Sequence, residues 1–211
     1  MVKGAFIVVE GPEGAGKSSL ARWLAARFVQ DGRQVVAVRE PGGTPLAEAA
    51  RKVALHAPHG MTAASELFLM LAARADLVEQ VIRPALARGQ VVVADRFDLS
   101  TFAYQVAAGG LPREEVEVAN RLATGGLTPD VTLVLTMSLA VGRERQRRSR
   151  KIRDRFERQG DAFHRRVLQA YLNASGPGVV HVDASQSQEA VHEAAWREVM
   201  AAAAPIPRGV S

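Results

Sequence analysis

The sequence predicts a three-layer α/β domain, a sheet of about five parallel strands flanked by helices. Three observations carry this expectation. Five short, Val-rich apolar runs punctuate the chain; stretches of helical length and composition separate them; and a Gly-rich loop joins the first run directly to the first helix. The runs at 5–9, 34–38, 90–94, 131–136 and 178–182 are apolar almost throughout and bounded by Gly, Pro or charge. That is the pattern of strands buried on both faces. The predicted helices are 18–30, 45–55, 62–87, 112–123, 139–148, 157–173 and 188–203.

Composition narrows the classes further. With 211 residues, 47% hydrophobic and 23% charged, the chain reads as one domain over 1–204, with a flap near 142–158 and a flexible tail at 205–211. Cys is absent, which removes disulfides, thiolate metal sites and a cysteine nucleophile. No apolar run approaches the roughly 18 residues of a membrane span. Gly11 and Glu13 interrupt the place where a secretory apolar segment would continue, so the expected location is the cytoplasm.

The formal charge of +5 suggests a polyanionic partner. It is unevenly spread. Residues 142–158 hold eight Arg and one Lys against Glu144, Asp154 and Glu157, a local +6 that leaves the rest of the chain at −1.

Strand one runs into Glu10-Gly11-Pro12-Glu13-Gly14-Ala15-Gly16-Lys17-Ser18-Ser19, a G-x-x-x-x-G-K-S phosphate loop between a strand and a helix. Its glycines let successive N–H groups turn inward around a phosphate at the positive end of the following helix. Lys17 supplies a point charge for the β and γ phosphates, and Ser18 is placed to ligate Mg²⁺. This is a P-loop NTPase pattern for ATP or GTP. A GTPase would carry Asn-Lys-x-Asp to read guanine, and the chain has none. An ATPase commonly follows its second acidic strand end with Glu, whereas here Asp95 is followed by Arg96. An Arg at that point suits a second anion, such as an acceptor with its own phosphate. Arg39, at the end of strand two, shares the same sheet rim, and two guanidinium groups there can clamp a monophosphate; a surface ion pair of Arg39 with Glu40 is the alternative.

Arg39-Glu40-Pro41-Gly42-Gly43-Thr44, Ala72-Ala73-Arg74, the run from Asp95 to Gln105, Pro129-Asp130, Asp154-Arg155-Phe156-Glu157 and Val182-Asp183-Ala184 follow the phosphate loop in order. Together these motifs resemble bacterial thymidylate kinase from residue 5 to about 200. The resemblance implies a P-loop nucleoside monophosphate kinase that transfers the γ-phosphoryl group of ATP to dTMP. It implies Arg39 and Arg96 on the acceptor phosphate, with Glu40 and Ser100 beside them. Asp95 joins Ser18 at Mg²⁺. Arg74 hydrogen-bonds the pyrimidine edge, while Thr101, Tyr104 and Gln105 line the base and sugar pocket. Tyr104 would exclude a ribose 2′-OH, with helix packing as its alternative role. The family usually places Phe where this chain has Met70, so thymine is less firmly implied over uracil. Phe97 stands where the family often has Tyr or His.

The basic segment admits three readings: a nucleic-acid patch, a solvated helix, or a lid that brings Arg to the transferring phosphoryl group. Only Phe156 offers a stacking partner for bases, and the charge is too one-sided for i,i+4 balance. The resemblance favours the lid, because one class of the family pairs a non-basic phosphate loop with a catalytic lid Arg. Glu13 and the Arg-rich segment match that class. Arg155 aligns best as the catalytic group, with Arg150 and Arg153 as alternatives and Arg143 placed to stack on adenine. Asp98 either assists the acceptor side or caps the next helix. The resemblance also implies a homodimer. The resulting expectation is dTMP phosphorylation by ATP with Mg²⁺, without nucleic acid or membrane. The rivals are a kinase for dUMP or another pyrimidine monophosphate, and a nucleic-acid-binding P-loop ATPase.

Overall fold

Strand β1 (Ala5–Glu10) is buried along its whole length and sets the frame for the domain. The computed structural model of the chain describes residues 4–57, 60–148 and 155–202. Four more strands, β2 (Val35–Arg39), β3 (Val91–Asp95), β4 (Val131–Thr136) and β5 (Val179–Asp183), complete a five-stranded sheet in the order β2-β3-β1-β4-β5. Every pairing is parallel. Successive side chains of β1 point to opposite faces, as strand geometry requires. Ile7 and Val9 enter one core with Leu24, Phe28 and Leu133, whereas Phe6 and Val8 enter a second with Leu77, Ile82 and Phe97.

Helices cover both faces. They are α1 (Lys17–Gln30), α2 (Pro45–His56), α3 (Ala63–Leu77, continued through Val78–Ile82 and Arg83–Ala87), α4 (Asp98–Thr101, continued through Phe102–Ala108), α5 (Arg113–Thr124), α6 (Leu139–Arg148), α7 (Asp161–Leu172) and α8 (Gln188–Ala202). Local chemistry fixes several starts. The Thr44 hydroxyl accepts the Ala47 N–H at 3.1 Å, with Pro45 at the first position of α2. Thr62 does the same for Ser65 at 3.1 Å at the start of α3.

Three elements differ from the sequence expectation. The long helix 62–87 is present, but it widens into a π turn at Val78–Ile82, where the Arg83 N–H reaches back to the Val78 carbonyl. Pro84 follows immediately and can supply no N–H to the preceding turn, so the wider turn absorbs the mismatch. The helix expected from 157 begins at Asp161, after Gly160 adopts an extended conformation. Finally, α4 occupies 98–108, a span outside the bounded helices predicted above, where the sequence offers only Asp98 as a possible cap; its N-terminus is held by a carboxylate distant in sequence, described below. The lid residues Arg150 and Arg153 and the tail 205–211 lie outside the described residues.

This topology positions a site. The connection after β1 leads toward β2, and the connection after the neighbouring β3 leads across to β4. A crevice therefore opens between their carboxyl ends, the switch point of an open parallel sheet.

Packing under α1 gives a stability test. Phe28 is fully buried, with its ring 4.8 Å from that of Trp196 on α8. Phe28→Ala should cost about 3–5 kcal/mol, read as a lower urea midpoint at unchanged slope. A loss below about 1 kcal/mol would mean that this layer does not pack as described.

Candidate active site

The crevice at the switch point is a cleft of about 320 Å³ whose lining comes from the loop after β1, the ends of β2 and β3, helices α1 to α4 and the segment at Phe156 and Glu157. The phosphate loop forms one wall. Gly11 adopts φ 141° and sits so close to β4 that a Cβ would lie 2.6 Å from the Leu135 carbonyl oxygen. At Gly14, φ is 80° and a Cβ would lie 2.5 Å from the Gly142 carbonyl oxygen on α6. The loop thus needs glycine at both places, for backbone angle and for contact.

Within the loop, Lys17 Nζ donates to the Pro12 carbonyl at 2.8 Å, so the ammonium spans the turn it closes. Burial first, and the charge of Arg96 second, lower its pKa to about 8. Ala15 is buried under the loop, Gly16 leads into α1, and Ser19 Oγ accepts from Gln188 on α8 at 2.8 Å. Ser18 Oγ donates to Asp95 Oδ2 at 2.5 Å. These two oxygens fit Mg²⁺, which takes few protein ligands and completes its shell with phosphate and water. Among the described residues there is no group of three or more His, Asp or Glu, so the chain offers Mg²⁺ a partial site of this kind.

Arg96 stands opposite. It follows β3 in the left-handed region at φ 77°, unusual for a side chain of its size, with its N–H donating to the Val9 carbonyl at 3.0 Å. One terminal nitrogen donates to Glu13 Oε1 at 2.6 Å and to Tyr104 OH at 3.3 Å. The other donates to Ser100 Oγ and Tyr171 OH, both at 3.1 Å. Beneath it lies Glu10, fully buried at the end of β1. Glu10 accepts the N–H groups of Phe97 at 2.8 Å and Ser100 at 3.0 Å, together with the hydroxyls of Ser100 at 2.7 Å and Tyr171 at 3.1 Å. Burial raises its pKa, while Arg96 and the Ser100 and Phe97 hydrogen bonds oppose that rise. Glu10 in effect caps α4 from another strand, the task weighed for Asp98 on sequence grounds.

The far end of the cleft is built on α3. Arg74 is buried, and its Nε and one terminal nitrogen pair with Glu40 Oε2 at 2.8 and 2.7 Å. Its remaining donors go to Thr101 Oγ1 at 2.8 Å, Asn120 Oδ1 at 2.7 Å and the Phe97 carbonyl at 2.9 Å. All five N–H groups of the guanidinium are engaged within the protein. Contact with a pyrimidine edge, the role expected of Arg74, therefore requires one of these bonds to open. Burial pushes the Glu40 carboxyl up to about 6 despite Arg74, and Glu40 Oε1 has no hydrogen-bond partner among the described residues. Arg39 pairs with Glu48 rather than Glu40, at 2.8 Å, and remains half-exposed at the cleft. Met70 faces the cleft near Tyr104, whereas Phe68 is 65% exposed, in keeping with its offset on the helix. Gln105 is buried and donates to Glu66 Oε1 at 2.6 Å.

Several arginines of the basic segment have partners within the chain, although Arg147 and Arg148 stay exposed. Arg143 pairs with Asp161, and Arg147 and Arg148 pair with Glu144. Arg145 donates to the Ala184 carbonyl at 2.7 Å and borders a second cavity of about 250 Å³ beside Gly14, Gly16, Ser19 and His192. Arg145 thus lies beside the Gly14–Ser19 side of the phosphate loop, and Arg143 beside its Pro12–Glu13 side. Arg155 pairs with Glu66, donates to the Ala54 carbonyl at 3.2 Å, and lies over the Phe156 ring. That places Arg155 on the acceptor side of the cleft, away from the loop.

The structure thus gathers Lys17, Ser18, Asp95 and every residue expected at the acceptor into one cleft, and leaves Arg143 and Arg155 with other partners. Arg51 also lines the cleft, and Glu10, Glu66, Asn120 and Tyr171 hold its residues by hydrogen bonds from behind. Glu66 was discoverable from spacing, because it precedes Met70 and Arg74 at helical intervals of four. Glu10 adjoins the loop motif; Arg51, Asn120 and Tyr171 carry no local signal.

The chain is similar to known proteins over most of its length. The sequence pattern of the family described as Thymidylate kinase matches residues 9–195. The thymidylate kinase of Pseudomonas putida is 49% identical over 194 residues, covering 90% of this chain and 92% of that protein. That of Pseudomonas entomophila is 47% identical over 198 residues, covering 92% and 93%. That of Nitrosospira multiformis is 42% identical over 201 residues, covering 94% and 98%.

The lowered pKa of Lys17 has a measurable consequence. Triphosphate oxygens in the loop favour the ammonium, so the bound lysine titrates higher than the free one at about 8. Above that value, binding takes up a proton and affinity falls as pH rises. Calorimetric titration with a nucleoside triphosphate at about pH 9, in two buffers of different ionisation enthalpy, should show this uptake. Identical apparent enthalpies in both buffers would contradict it.

Proposed function

We propose the following reaction for a chain that belongs to the thymidylate kinase family: transfer of the γ-phosphoryl group of ATP to dTMP, giving ADP and dTDP. One observation supports it beyond the family. A phosphate loop and two arginines line a single cleft, with Lys17 in the loop and Arg39 and Arg96 at the ends of the neighbouring strands. A hydrolase has no need of the two arginines.

In this reading Lys17 and the backbone N–H groups of the loop between Glu13 and Ser18 hold the β and γ phosphates. The second cavity beside Arg145 receives the adenine ring. Arg39 and Arg96 hold the acceptor phosphate, and Glu13, which now occupies Arg96, yields that place on binding. Met70 lies against the base, Tyr104 against the deoxyribose, and Thr101 and Gln105 near the base edge. An acceptor phosphate oxygen attacks the γ phosphorus, and the bond from that phosphorus to the bridging oxygen breaks, leaving ADP. The acceptor phosphate, with a second pKa of about 6, is already ionised near neutral pH, so no general base is required. Catalysis then rests on cancelling charge and excluding water. Ser18 and Asp95 would hold Mg²⁺, which supplies charge neutralisation on the donor phosphates. Arg150 or Arg153 of the lid would serve the transferring group, while Arg155 serves the acceptor side.

We also place the enzyme in the cytoplasm as a homodimer. No helix among the described residues is long and apolar enough to cross a membrane. On α3 and α5, which pack together, Phe68, Val118 and Leu122 are 65%, 70% and 85% exposed, an apolar set suited to a second copy.

The test is ADP release with ATP and dTMP, dUMP, CMP or UMP. Turnover should depend on dTMP; no acceptor-dependent turnover with any of them would sink the kinase reading, and equal rates with dUMP would sink only its specificity. Arg96→Ala should lower kcat/KM for dTMP by about 10- to 100-fold, the value of a charged hydrogen bond. An unchanged kcat/KM would remove Arg96 from the acceptor site.

A further inference from the structure

We infer that Glu66 is a specificity-determining positioning residue, which fixes the polarity of the Gln105 carboxamide so that the cleft accepts a 4-oxopyrimidine and refuses a 4-aminopyrimidine. The inference rests on the reading that a pyrimidine monophosphate occupies this cleft.

Gln105 lines the cleft and is only 3% exposed. Its Nε2 lies 2.6 Å from Glu66 Oε1. The second carboxylate oxygen of Glu66 pairs with Arg155, so Glu66 is held from two sides and is itself 7% exposed. An ionised carboxylate only accepts hydrogen bonds. The Gln105 amide therefore cannot turn over; its nitrogen must face Glu66. Among the described residues this is the sole hydrogen bond made by that side chain.

What remains for a ligand is one carbonyl oxygen and one N–H, in a fixed order. Thymine and uracil present an N3–H beside a C4 carbonyl, a donor next to an acceptor, and complement that order. Cytosine presents N3 as an acceptor beside a C4 amino donor, which needs the carboxamide rotated by half a turn. Rotation would put the Gln105 oxygen against the Glu66 carboxylate, two acceptors face to face. Buried groups forced into such a mismatch give strong discrimination, far beyond what apolar packing provides. Met70, the neighbouring cleft residue on α3, has no polar group with which to make this choice.

Kinetics with dTMP and dCMP test the inference. Wild type should use dTMP and strongly disfavour dCMP. Glu66→Gln can pair with either orientation of Gln105, and should narrow the dTMP-to-dCMP ratio of kcat/KM by about tenfold or more, chiefly through KM. In a Gln105→Ala background the same substitution should leave the ratio unmoved, because there is no carboxamide to orient. Glu66→Asp retains the charge but withdraws it from Gln105, and should narrow the ratio as well; it keeps the test decisive should Glu66→Gln fail to fold. An unchanged ratio in either folded single variant, or a full effect in the Gln105→Ala background, would overturn the inference. Wild-type enzyme inactive on every pyrimidine monophosphate would instead overturn the functional reading beneath it.

Discussion

The carboxylate of Glu10 is the contact on which the cleft depends. It is buried at the carboxyl end of β1, one residue before the phosphate loop, and takes hydrogen bonds from Phe97, Ser100 and Tyr171. Those bonds tie the central strand to the start of α4 and to α7. They also carry Arg96, whose left-handed backbone is bracketed by Val9 on one side and by the capped helix on the other. A buried charge without partners costs several kcal/mol, so Glu10 and the groups around it hold one another in place. The phosphate loop and Arg96, the proposed donor and acceptor sides of the site, are thereby fixed to a single strand end.

The same constraint explains the distribution of charge. A site that will hold several phosphates needs buried cations, and before ligands arrive those cations need counter-charges. The cleft supplies them: Glu13 and Glu10 beside Arg96, Glu40 on Arg74, Asp95 and Glu13 near Lys17. Glu13 is the informative one, since it is a carboxylate placed against Arg96 and Tyr104 where an acceptor phosphate is expected. Exchange of one anion for another keeps Arg96 neutralised throughout. The flap follows this logic too, with Arg143, Arg147, Arg148 and Arg155 paired to acids of the same chain.

Features set by neighbouring residues were legible in the sequence. The phosphate loop and the buried strands β1, β3 and β4 are of this kind, whereas the edge strands β2 and β5, expected to be buried on both faces, are only partly so. Arg39, Asp95 and Arg96 were also placed correctly on one rim, because parallel topology brings strand ends together. Features set by distant partners were not legible. Helix α4 begins with hydrogen bonds to a carboxylate 87 residues earlier, and it carries no cap of its own. The π turn in α3 answers to Pro84, a residue whose effect depends on how the helix is otherwise anchored. Arg155 aligned with a catalytic role, but its partner is a buried acid 89 residues away. Arg74 was found by motif, yet the saturation of its donors is a property of the folded site alone.

A crystal structure with bound dTMP tests the central claim most directly, because it shows what becomes of the anion now paired with Arg96. The account predicts that the Arg96 guanidinium leaves Glu13 and contacts the dTMP phosphate, while Glu10 keeps its hold on Phe97 and Ser100. An intact Arg96–Glu13 pair, with the phosphate bound elsewhere, would contradict it.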